Sequence, residues 1–294
     1  MQGVVAPASV CVVSPHLDDA VLSCGRFLAS HPGCTVLTVF AAAPPSHTVV
    51  TGYDARCGFS SSSQAMAVRL VEDDCALALL NATPQRMSEL DSQYADLPEP
   101  VELARRLWGV LGDRHWDAIL VPLGLFHCDH ECVSDACLQL LRQHPETMWI
   151  GFEDVLYRRR AGVLQRRLAT LLHAGVCATP ITLQGASAGE SARGANPTAT
   201  TVTTTTLSAG TSAAHCATDA CPTARCAVPA HAPDAAARKA AAVASYASQL
   251  PCLGIAHCGD DGTEEGYWLL AIDVNSDAHT ETSAHTSAND ARTV

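Results

Sequence analysis

The stretch Val10-Cys11-Val12-Val13-Ser14-Pro15-His16-Leu17-Asp18-Asp19 decides how the rest of the chain is read. Val10 to Val13 is a short, β-branched run that reads as a strand and ends at Ser14-Pro15, a turn signal. Asp19 to Ser30 then places Val21, Leu22, Phe27 and Leu28 at helical spacing. His16, Asp18 and Asp19 therefore stand at a strand-to-helix junction. In a parallel α/β sheet, ligands bind beyond the carboxyl ends of the strands, so a site is expected here. His16 and Asp19 are three apart, and a helical turn starting there points both the same way. The two aspartates read equally well as caps for the helix amides or as metal ligands.

Outward from this junction the alternation continues. Thr35 to Phe40 reads as a strand, and the Ser- and Pro-rich sequence from Ala43 to Ser63 as a long loop. A helix is predicted near Gln64 to Leu80, with Met66, Leu70, Ala76 and Leu77 on its buried side. A second amphipathic helix is predicted from about Glu99 to Leu111. Ala118 to Val121 is a continuous apolar run of the kind found in parallel strands buried on both faces. Met148 to Phe152 and Ala178 to Leu183 are further strands. The pattern implies a Rossmann-like three-layer α/β sandwich around a mostly parallel central sheet.

From Gly185 to Pro233 the composition changes. No aromatic residue occurs there, and Val202, Leu207 and Val228 are the branched aliphatics among Ala, Thr, Ser, Gly and Pro. Such a segment buries too little apolar surface to offset its ordering entropy and reads as a disordered insertion. Asp234 is placed to cap a helix through about Gln249, and Tyr267 to Val274 reads as a closing strand. The expected organisation is one domain over residues 1–273, interrupted at 185–233, with a polar tail at 274–294.

Composition excludes several function classes. Eighteen basic against 30 acidic residues give a net charge of −12, whereas nucleic-acid binding needs clustered cations. Arg158-Arg159-Arg160, with Arg166 and Arg167 nearby, is the one such run. No apolar run approaches the ~18 residues of a membrane-spanning helix. The N-terminus has no basic residue before Arg26, which argues against a secretory signal and for a cytoplasmic location. In that setting the 14 scattered cysteines read as free thiols. Homo-oligomerisation is left open.

A second polar cluster, Phe126-His127-Cys128-Asp129-His130, follows the strand ending at Val121-Pro122. Together the two clusters offer His and Asp from one strand exit and His from another. That makes a three-ligand set with an open position, the arrangement a catalytic Zn²⁺ requires.

These residues carry a family resemblance. Pro15-His16-Leu17-Asp18-Asp19 resembles the Pro-His-Pro-Asp-Asp signature of the PIG-L/LmbE-like N-deacetylases, and His127-Cys128-Asp129-His130 resembles their His-Pro-Asp-His. Arg69 to Glu72, Leu90-Asp91, Tyr246-Ala247-Ser248-Gln249-Leu250 and Glu265-Gly266-Tyr267-Trp268 are similar to further family segments, in the same order. The chain departs from the pattern at Leu17, Ala20 and Cys128, and Phe40 to Pro44 lacks the family's Thr-x-Gly.

The resemblance implies a zinc-dependent hydrolase that removes an N-acyl group from a small-molecule amino-sugar conjugate such as an N-acetylglucosamine derivative. His16, Asp19 and His130 would hold one Zn²⁺ per chain. Asp18 would be the general base, and His127, as an imidazolium, would steady the oxyanion and help protonate the leaving amine. Arg69 and Asp91 would contact sugar hydroxyls, and Asp129 would orient a histidine. The alternatives are a zinc amidohydrolase with a non-sugar substrate and a catalytically silent binding member. His215-Cys216 with Cys221 and Cys226 reads as coincidental rather than as a second zinc site. Cys128 and Cys132 read as buried thiols without a role, and the four tryptophans as packing residues.

Overall fold

The computed structural model describes residues 9–45, 49–183, 234–254 and 264–273. The insertion 185–233, with its His and Cys group, and the tail 274–294 lie outside the described residues. Fully buried β1 (Val10–Ser14) runs into α1 (Asp19–Ser30), then β2 (Thr35–Thr38), α2 (Gly52–Arg56), α3 (Ser62–Leu80) and β3 (Thr83–Arg86). There follow α4 (Pro100–Leu111), β4 (Ala118–Pro122), α5 (Cys128–Gln143), β5 (Met148–Phe152), α6 (Val163–His173) and β6 (Val176–Ile181). After the insertion come α7 (Ala235–Val243), α8 (Leu250–Leu253) and β7 (Tyr267–Ile272).

These strands make one seven-stranded sheet in the order β3-β2-β1-β4-β5-β7-β6. The pairings from β3 to β5 are parallel, and β7 is antiparallel to both β5 and β6. Side chains of β1 alternate between two apolar layers. Cys11 and Val13 pack with residues of α4 and α5 on one face, and Val10 and Val12 with residues of α1, α3 and α7 on the other. The strand order reverses between β1 and β4, which opens a crevice at their carboxyl ends. His16 and His127 leave the sheet at those two ends.

Several local expectations are corrected. The loop expected over Ala43 to Ser63 contains α2, whose N-cap Thr51 accepts the Asp54 amide at 3.0 Å. Strand β2 stops at Thr38, and Phe40 makes an isolated bridge to Ser88. Strand β6 sits at Val176–Ile181 rather than Ala178 to Leu183, in register with β7 from Val176–Ile272 to Ile181–Tyr267. The helix capped by Asp234 ends at Val243 instead of about Gln249. Beyond it the chain turns to bury Tyr246, whose hydroxyl meets Asp73 at 3.0 Å. Strand β3 and helices α5, α6 and α8 have no counterpart among the expected elements.

Candidate active site

Asp18 occupies the N-cap position of α1 but makes no side-chain cap bond. Ser14 takes over part of that work, its Oγ accepting the Ala20 amide at 3.0 Å. Asp19 Oδ2 accepts the His16 amide at 2.9 Å and lies 3.1 Å from His16 Nδ1. Capping therefore leaves the Asp18 carboxyl uncommitted, while Asp19 fixes the histidine three residues before it.

The second cluster begins with His127 as N-cap of α5, its Nδ1 accepting the Asp129 amide at 3.3 Å. That bond puts the proton of the neutral ring on Nε2. One helical turn on, His130 is buried with Nε2 3.2 Å from Asp19 Oδ2. Its Nδ1 meets Asp154 Oδ1 at 2.6 Å. Asp129 Oδ2 lies 2.8 Å from His16 Nε2, so the expected orienting role falls on His16.

Between β4 and α5 the chain passes through Gly124 (φ +77°) and Phe126 (φ +71°). A Cβ at Gly124 would approach Ser134 Cβ to 2.7 Å, so the close turn requires glycine. Left-handed backbone is costly for a residue as bulky as Phe126, and such conformations concentrate at functional sites. Its exposed ring carries the Arg160 guanidinium 3.8 Å from the centroid.

All seven residues expected at the site, His16, Asp18, Asp19, Arg69, Asp91, His127 and His130, line one cavity of about 320 Å³. Arg69 is buried with Nη2 on Asp54 Oδ1 at 2.7 Å, and Asp54 also accepts from Ser62 at 2.7 Å and Tyr94 at 2.9 Å. Its Nε has no hydrogen-bond partner. Asp91 accepts from the Gln93 amide at 3.0 Å and from its side chain at 2.9 Å. Tyr53, Arg56, Tyr157 and Gln249 complete much of the wall.

Sequence reading missed Asp154 and Asp54. Asp154 could have been found by the rule that located His16, since it lies just past the carboxyl end of β5. Asp54 had no such signal, because α2 was hidden in a polar stretch. Cys128, expected to be buried, is exposed, with Sγ 3.3 Å from Asp129 Oδ1. The ten cysteines among the described residues are all free, as expected. Trp116 and Trp149 are buried in the core, consistent with packing roles.

Burial disfavours charge throughout this cluster, but the charges compensate one another. Against burial, Asp19 and Asp154 raise His130 to about 10, and Asp129 and Asp19 hold His16 well above the ordinary histidine range. Against the same burial, His130 and His16 hold Asp19 well below the usual carboxylate range. Asp18 behaves differently: burial, and then the charge on Asp19, raise it to about 7. His127 is lowered, first by burial and then by His16, so its surroundings favour the neutral ring over the expected imidazolium.

The ligand atoms of His16, Asp19 and His130 lie within 4.8 Å of one another. Two imidazoles and a carboxylate match the donor set of a catalytic zinc site. The pairing of His130 Nδ1 with Asp154 leaves Nε2 to face the cavity, as a ligating histidine requires. The residues present therefore fit a divalent ion.

Neither a family profile nor a curated protein matches the sequence. Solved structures do match. The A40926 pseudoaglycone deacetylase Dbv21 aligns with a TM-score of 0.61 at 21% identity, over 90% of this chain and 97% of its own. A deacetylase of teicoplanin biosynthesis aligns with a TM-score of 0.62 at 20% identity, over 91% of this chain and 100% of its own. The chain has their fold. A zinc-inhibited form of the teicoplanin deacetylase Orf2 aligns with a TM-score of 0.61 at 19% identity, over 91% of this chain and 100% of its own. Among the described residues, no helix is long and apolar enough to cross a membrane.

Proposed function

We propose that this chain is a PIG-L/LmbE-like N-deacetylase that hydrolyses the N-acyl group of an amino-sugar conjugate. The observation that carries this reading is the convergence of His16, Asp18, Asp19, His127 and His130 on one cavity, with three of them at metal-ligand spacing. The shared fold with deacetylases of teicoplanin and A40926 supports it. Zinc is the proposed metal, one ion per chain on His16, Asp19 and His130. Its support is the donor set and the zinc-inhibited form of a protein of this fold. We place the activity in the cytoplasm, in one domain over residues 1–273 interrupted at 185–233.

When bound, the ion supplies a water of lowered pKa and polarisation of the acyl carbonyl. The chain's own groups do the rest. Asp18, held near 7 by burial and by Asp19, is suited to take the proton of the attacking water. Neutral His127, its Nδ1 occupied by the Asp129 amide, directs Nε2–H into the cavity to steady the developing oxyanion. Collapse of the tetrahedral species needs a proton on the departing nitrogen, and Asp18, which has taken the proton of the attacking water, can deliver it. Arg69 and Asp91, which line the same cavity, are proposed to meet the sugar hydroxyls.

The test is acetate release from a panel of N-acetylglucosamine conjugates and non-sugar N-acetyl amides. Release from the sugar conjugates is expected, lost on chelation and restored by Zn²⁺. Turnover confined to non-sugar amides would reassign the substrate. Absence of turnover on either class, with unaltered binding in Asp18→Ala, would mark a silent binding protein.

A further inference from the structure

The His16 ring faces two different carboxylates. Nδ1 is 3.1 Å from Asp19 Oδ2, and Nε2 is 2.8 Å from Asp129 Oδ2. On the Asp19 side the third donor is His130. On the Asp129 side His127 completes a second set, in which one ligand atom from each of His16, His127 and Asp129 lies within 4.8 Å of the others. Each set is two imidazoles and one carboxylate. The ring planes of His16 and His127 stand at 88° with centroids 5.6 Å apart.

We infer that His16, His127 and Asp129 form a second, weaker divalent-cation seat that shares His16 with the proposed catalytic one, the ring bridging the two ions as an imidazolate after its remaining N–H proton is released to solvent. It rests on the proposed function only for the order of filling.

The two seats differ in ways that predict their order. The His130 side chain is 2% exposed and that of Asp154 behind it 1%, whereas the His127 side chain is 37% exposed. A carboxylate behind a ligating histidine orients the ring and raises its basicity, and loss of such a partner typically costs 10–100-fold in metal affinity. The Nδ1 of His127 that faces Asp129 instead accepts a backbone amide at 3.3 Å, a bond that a metal would displace. The inner seat should fill first. A second ion at the outer seat would take Nδ1 of His127 and both roles of Asp129, within the same cavity.

The experiment is equilibrium binding of Co²⁺ alone to the full chain, followed by its visible spectrum, in which thiolate ligation shows separately from nitrogen and oxygen ligation. Two steps are expected in the wild type, about 10–100-fold apart. Neither should carry thiolate character. His127→Ala should lose the weak step and keep the tight one. His130→Ala should lose the tight step and keep the weak one, and His16→Ala should lose both. A His127→Ala protein that retains both steps would overturn the outer seat while leaving the catalytic reading intact. A His130→Ala protein that retains the tight step would instead overturn the inner seat.

Discussion

His130 Nδ1 and Asp154 Oδ1 are 2.6 Å apart, both side chains almost fully buried, and the same aspartate accepts the Leu125 amide through Oδ2 at 2.8 Å. One carboxylate thus fixes the ring orientation of a proposed metal ligand and the turn that delivers His127. Strand β5 supplies it, while β4 and α5 supply what it holds. Asp154→Asn is expected to weaken metal binding by about 10–100-fold, measured by competition with a chelator. Asp154→Ala also leaves the Leu125 amide buried without an acceptor, and should cost about 1–3 kcal/mol of stability in denaturant unfolding. Unchanged metal affinity in both variants would remove Asp154 from the site.

Asp18→Asn should retain metal and lose acetate release by about 10²–10⁴-fold, the usual span for a positioned general base. The base must be ionised to act, so the wild-type kcat/KM should rise with pH through an acid limb. Asp18 sits near 7 without a cation beside it, and a bound divalent ion favours its ionised form. The limb is expected at or below about 7 and should be missing from the residual activity of Asp18→Asn. An identical limb in both proteins would assign it elsewhere.

Asp54 is buried and grips Arg69, Ser62 and Tyr94 together. Breaking a buried pair by removing one partner costs about 3–5 kcal/mol, so Asp54→Ala is expected to be strongly destabilised. Asp54→Asn should fold but hold Arg69 less firmly, raising KM for a sugar conjugate more than it lowers kcat. Steady-state kinetics with conjugates that keep or lack individual hydroxyls checks this. A change in kcat alone would argue against Arg69 as a binding group.

Asp73 is a buried carboxyl raised from 3.8 to about 6, by burial that outweighs Arg86 at 2.6 Å and Tyr246. The folded chain binds this proton more tightly than the unfolded chain. Its contribution to stability is therefore fully present below about 3.8 and is lost as pH rises through about 6. Asp73→Asn should flatten the fall in unfolding free energy over that window, read from urea denaturation at successive pH values. An unaltered slope would show that Arg86 keeps Asp73 ionised in the folded state.

The sequence by itself determined the strand-helix alternation and the two polar clusters at strand ends. That information is local: buried parallel strands are continuous apolar runs, against which His16, Asp18 and Asp19 stand out. The same locality explains the failures. Strand β3, Thr83-Pro84-Gln85-Arg86, is a polar edge strand specified by pairing with β2 rather than by its own residues. The start of β6 is set by β7, from beyond the insertion.

Tertiary structure alone decided which carboxylate serves which histidine. Asp129 reaches His16 across 113 positions of sequence, and Asp154 reaches His130 across 24. These partners meet because the sheet reverses its strand order between β1 and β4 and brings the ends of β1, β4 and β5 side by side. The charges that raise the proton affinity of His16 and His130, and the burial that brings Asp18 to about 7, depend on those few ångströms of separation. Neither is written in the spacing of residues along the chain.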